Sequence, residues 1–114
     1  MIPLTMELNE EIRRAYGRRS LTDTFVTKII LGIFGCAPAY DRFFKYAAKQ
    51  FNVCGSTFNE NSLKHLWHYY ETYLQELDSI RLELSIEGLH YTPMKLLDMC
   101  LFQIGIDAFG QEED

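Results

Sequence analysis

The chain has little of what would place it in several common classes. Its 114 residues include only three prolines and seven glycines, too few for a flexible linker or a low-complexity tract, and no internal repeat divides it into domains. Three cysteines, Cys36, Cys54 and Cys100, are an odd number, widely spaced and set among apolar residues. That pattern suits buried thiols in a reducing, cytoplasmic compartment better than a disulfide framework. The longest apolar stretch, Ile29 to Ala39, is far shorter than the roughly 20 residues that span a bilayer. The first residues lack a basic segment leading into an apolar one, so neither a membrane nor a secretory signal is expected.

What is present is ample material for one core: 47% of the residues are apolar and 14% aromatic. A domain of this size buries roughly 65% of the surface exposed by its unfolded chain, so neither a metal nor another cofactor is needed to hold it together. The formal net charge is −5 and it is unevenly divided. Residues 1–49 carry eight of the eleven basic side chains against five acids, and residues 50–114 carry eleven acids against three bases. This balance disfavours general polyanion binding and leaves room for a local basic surface made by Arg13, Arg14, Arg18, Arg19, Arg42, Lys45 and Lys49.

The periodicity predicts an all-α domain over residues 1–114, a bundle of about five helices. The first, over 5–16, takes Thr5 as N-cap and Gly17 as stop and lies at the periphery. The second begins near Thr22 or Asp23 and presents a broad apolar surface of Phe25, Val26, Ile29, Ile30, Ile33 and Phe34 as far as Gly35, which suits a central helix. Pro38 predicts the start of a third helix over 38–51, with Tyr40, Phe43, Phe44, Ala47 and Phe51 on one side and Arg42, Lys45 and Lys49 on the other. Leu63, Leu66, Tyr70, Tyr73, Leu77, Ile80 and Leu84 recur at three-four spacing and predict one long helix over 60–84. Thr92 and Pro93 cap a last helix over 93–109, and residues 111–114 are expected to fray.

Several constellations bear on chemistry. His65, His68 and Glu71 share one helix face at ligand spacing, but no second cluster completes a metal site, so none is assigned. Trp67, Tyr69, Tyr70 and Tyr73 point to more than one side of their helix, so they either fill the space between neighbouring helices or meet a partner by stacking. With Glu71 and Glu76 they form a candidate aromatic and acidic surface. Asp98 and Lys28 stand in apolar helices, where a charge has to be paired or turned to the surface; pairing among Lys28, Asp41 and Asp98 is the structural reading, and a functional carboxylate is the sharper one. No nucleophile elbow, phosphate-gripping glycine loop or paired-histidine zinc motif is present.

Two segments, Thr27 through Asp41 and Met94 through Phe102, together resemble the helix-hairpin-helix DNA glycosylase-like superfamily, in which an apolar helix ends and a proline-to-aspartate turn begins the next. The sequence also resembles an uncharacterised bacterial family with a GxFGxxPA(Y/F)Dx(Y/F)F motif, matched by Gly32 through Phe44. The first resemblance implies a DNA-associated helical protein with Asp41 at the family's catalytic aspartate, and the second a bacterial protein. Gly17-Arg18-Arg19 lacks the G-x-G spacing of the phosphate-gripping hairpin, so a binding half-domain is what it implies at most.

These observations lead to the expectation of a non-enzymatic helical binding module acting beside nucleic acid or a nucleic-acid-processing protein. Two alternatives stay open. One is a small acidic inhibitor that imitates phosphates through Glu71, Glu76, Asp78, Glu83 and Glu87; the other is an enzyme using Asp41 or Asp98. A homodimer through the long helix is compatible with each.

Overall fold

The computed structural model describes residues 2–17, 20–85 and 90–112, with side chains as far as Phe109. The backbone forms six helices and, among the described residues, no strand. These are α1 (Ile2–Ala15), α2 (Asp23–Phe34), α3 (Arg42–Gln50), α4 (Glu60–Thr72), α5 (Leu74–Leu84) and α6 (Pro93–Glu112).

Local chemistry sets most boundaries. Thr22 caps α2, its hydroxyl accepting from Phe25 N at 3.1 Å, and Gly35, at φ 63°, ends the helix in the left-handed conformation that costs glycine nothing. Asn59 caps α4 through Ser62 N. Thr92 caps α6 by accepting from Lys95 N, with Pro93 in the first helical position.

Three expected boundaries are corrected. First, α1 begins at Ile2 rather than at a Thr5 cap, and Thr5 lies buried on the helix. Second, α3 begins at Arg42, not Pro38. Residues 36–40 form a buried, non-helical connector, and Asp41 is the cap, accepting from Phe44 N at 2.9 Å. Third, the long helix over 60–84 is broken at Tyr73 (φ −112°, ψ 32°). The Tyr70 hydroxyl donates to Asp78 at 2.5 Å, and residues eight apart in a straight helix are separated by about 12 Å along its axis. The bend brings these two side chains together. At the other end, α6 is described as far as Glu112, and residues 113–114 lie outside the described residues.

The core is built chiefly from Val26 and Ile30 of α2, Phe44, Ala47 and Ala48 of α3, Leu63, Leu66 and Tyr70 of α4, and Met94, Leu96, Leu97 and Leu101 of α6. The helices α3 and α6 pack along each other most extensively. They approach so closely at Gly105 that an added Cβ would fall on the Phe43 carbonyl group, 2.7 Å from its carbon and from Cα. The rings of Phe102 and Phe109 meet Phe43 edge-on around that crossing.

The connector from Gly35 to Asp41 passes through the interior, where unpaired backbone groups are costly. Side chains from distant elements satisfy it. Thr27 Oγ1 accepts from Tyr40 N at 2.8 Å, Thr24 Oγ1 donates to Tyr40 O at 2.6 Å, Asp98 accepts from Ala39 N at 2.9 Å, and Thr92 Oγ1 donates to Gly35 O at 2.5 Å. The two segments that carry the resemblance are therefore in direct contact, through Ala39 and Asp98.

Candidate functional site

The segment between α3 and α4 organises a concave surface. It leaves α3 through Asn52, which adopts φ 54°, a left-handed conformation that asparagine tolerates better than most side chains. Val53 and Phe58 are buried and anchor both ends of the loop. Asp23 fixes it further, accepting from Phe58 N at 2.8 Å, and Ser62 donates to Gly55 O at 3.3 Å.

Two open grooves flank this loop and share Asn52, Cys54 and Gly55. One, of about 600 Å³, lies towards α4 and is walled by Phe51, His65, His68, Tyr69 and Tyr73. The other, of about 510 Å³, lies towards α3 and is walled by Arg42, Lys45, Tyr46 and Lys49. The basic stripe of α3 and the aromatic face of α4 thus meet around one loop. Beneath it, the Tyr40 hydroxyl bonds to Ser62 Oγ beside Cys54. Burial pushes the Tyr40 phenol far above its usual value and raises the Cys54 thiol as well, so the thiol is kept protonated at neutral pH.

The other basic residues are placed elsewhere. Arg13 is a structural cation: its guanidinium donates to Asn9 Oδ1, Leu21 O and Asp23 Oδ1, the last at 2.8 Å. Arg14 forms an exposed ion pair with Glu11. Arg18 and Arg19 lie outside the described residues, as does Glu87. Arg42 lies over the rings of Phe43 and Phe109, at 4.8 and 5.2 Å from their centroids, which holds its cation at the rim of the basic groove.

The aromatic surface divides. Tyr69 stacks obliquely on Tyr73 beside the groove, whereas Tyr70 is buried. Trp67 packs towards Tyr70 and the core, its indole nitrogen sealed with no hydrogen-bond partner among the described residues, and it is not among the residues walling the two grooves. Glu71 and Glu76 are exposed. Phe51, assigned from sequence to the apolar side of α3, instead follows its last turn and is 54% exposed at the groove wall.

The two candidate carboxylates serve the backbone: Asp41 caps α3 and Asp98 holds Ala39 N. The expected pairing among Lys28, Asp41 and Asp98 does not form as an ion pair, and Lys28 is exposed on α2. Burial raises the Asp98 carboxyl above the usual range, against the lowering effect of the Ala39 N–H. Neither carboxylate is among the residues walling the two grooves. Among the described residues, no three His, Cys, Asp or Glu side chains converge as metal ligands, so His65, His68 and Glu71 do not gain the further ligand they lack. No described helix is long and apolar enough to cross a membrane.

Comparison with protein-family models, with characterised proteins and with solved structures finds no match to this chain.

Proposed function

We propose that this chain is a non-enzymatic binding module whose double groove takes a single strand of nucleic acid. The observation that carries this reading is the convergence of Arg42, Lys45 and Lys49 with Phe51, Tyr69 and Tyr73 around residues 51–56. Phosphates suit the cationic wall, and base faces suit the aromatic one, since base–aromatic stacking contributes about 1–3 kcal/mol per base without requiring a particular sequence. The open form of both grooves fits a strand lying across the loop better than an enclosed small molecule. The resemblance of Thr27 through Asp41 and Met94 through Phe102 to a DNA-associated superfamily points the same way, although Asp41 here serves as a helix cap.

The test is fluorescence anisotropy with a labelled thymidine 12-mer. Three phosphate contacts predict a log–log salt slope of about −2, or roughly a 20-fold loss of affinity between 50 and 200 mM salt. Lys45→Glu with Lys49→Glu should remove binding while leaving the helical signal intact. A salt-independent affinity, or one unchanged by the double substitution, would overturn the reading.

A further inference from the structure

The helix α5 stands apart from the rest of the fold. None of its residues is buried, and the helices it packs against are chiefly α6 and α4. A helix of eleven residues gains little stability by itself, because isolated helices shorter than about 12–15 residues are marginal in water. Its apolar side chains are nevertheless large and regularly placed. Leu77 packs partly against the core, and Ile80 and Leu84, at three and seven residues beyond it, extend the same stripe outward at 42% and 40% exposure. The spacing that faces the core along α4 thus continues along α5 onto the surface.

Charge decides what suits this stripe. Its outward border carries Glu76 and Glu83, both exposed. The one base on the helix, Arg81, is turned inward, bonding to Asp78 at 3.4 Å and to Tyr91 O at 3.2 Å. A second copy of the chain is a poor occupant, because a two-fold antiparallel pairing centred on the stripe would set Glu76 of each copy against Glu83 of the other. A helix with an apolar row bordered by lysine or arginine would bury Ile80 and Leu84 and meet both carboxylates. We infer that α5 is a docking helix for a basic amphipathic helix of a partner protein. This surface is independent of the strand-binding groove proposed above.

The test uses a labelled synthetic 18-residue leucine/lysine amphipathic helix and its leucine/glutamate counterpart, titrated with the intact chain. The lysine peptide should bind at least tenfold more tightly than the glutamate peptide. Ile80→Glu with Leu84→Glu should weaken the lysine peptide at least tenfold, although it makes the protein more acidic and would strengthen a purely electrostatic attraction. Leu82→Glu, on the other flank of the helix, should change affinity less than twofold, and circular dichroism checks that each variant keeps its helices. Equal binding of the two peptides, or binding that survives the double substitution, would overturn the inference. So would sedimentation showing a wild-type dimer that the double substitution abolishes, since that outcome places a second copy on the stripe.

Discussion

Replacing Gly105 with alanine is the most direct probe of the packing that positions α3, and with it the basic wall. The added methyl would meet backbone rather than the movable end of a side chain: the Phe43 carbonyl carbon and Cα both lie 2.7 Å from its position. Carbon atoms pack favourably at about 3.5–4.0 Å, so α3 would have to retreat by about 1 Å. That retreat would loosen the contacts of Phe43 with Phe102 and Phe109 and of Phe44, Ala47 and Ala48 with the core. Overpacking costs about 1–3 kcal/mol, and an unyielding backbone places this case at the upper end. Alanine regains about 1 kcal/mol in helix propensity. The net loss is about 2 kcal/mol, or roughly 8–10 °C in Tm for a domain of this size. Gly32→Ala is the internal control, because its added methyl meets nothing within 4 Å; it should gain about 0.5–1 kcal/mol. Thermal and urea unfolding followed by circular dichroism would measure both. Shifts of the same sign in the two variants, or a Gly105→Ala protein as stable as wild type, would refute the close crossing of α3 and α6.

Asp98→Ala should cost about 1–3 kcal/mol by leaving Ala39 N without its acceptor, whereas Asp98→Asn keeps an acceptor oxygen and should be close to neutral at pH 7. Because burial raises the folded carboxyl above its unfolded value of about 3.9, the folded state holds the proton more tightly there. Wild type should therefore gain stability relative to Asp98→Asn as pH falls through the raised value towards about 4, and lose that advantage as pH rises; parallel urea titrations across this range would show it. Thr27→Val should cost about 1–3 kcal/mol in urea unfolding, since Tyr40 N loses its buried partner. Asp23→Ala removes the shared acceptor of Arg13 and Phe58 N and should cost about 2 kcal/mol, with line broadening in NMR spectra concentrated on residues 51–58.

The parts of the fold legible in the sequence are those fixed by neighbours along the chain. Thr22 and Gly35 delimit α2, Thr92 and Pro93 open α6, and the three-four spacing of Leu63, Leu66 and Tyr70 identifies the buried face of α4. The break at Tyr73 was illegible because neither glycine nor proline marks it. It accompanies a contact reaching across the bend, from Tyr70 to Asp78. Pro38 misled in the opposite way: its restricted backbone suits the start of a helix, but Thr27 and Asp98 hold the following amides in the connector instead. At the candidate site, the residue types on α3 and α4 were readable, whereas their convergence was not. It depends on a loop tied down by Asp23, which is far away in sequence, and the same carboxylate diverts Arg13 from the surface. Phe51 was missed because α3 stops one residue short of it.

Stretches without regular structure are usually where a polypeptide tolerates cutting, lengthening or grafting. The run from Cys36 to Tyr40 reverses that expectation, because α2 and α6 both fasten onto it by side chains. One extra residue there would slide Ala39 and Tyr40 out of register with Asp98 and Thr27 together, uncoupling two elements at once. For anyone splitting, tagging or permuting this protein, its least ordered-looking interior segment is the last place to intervene.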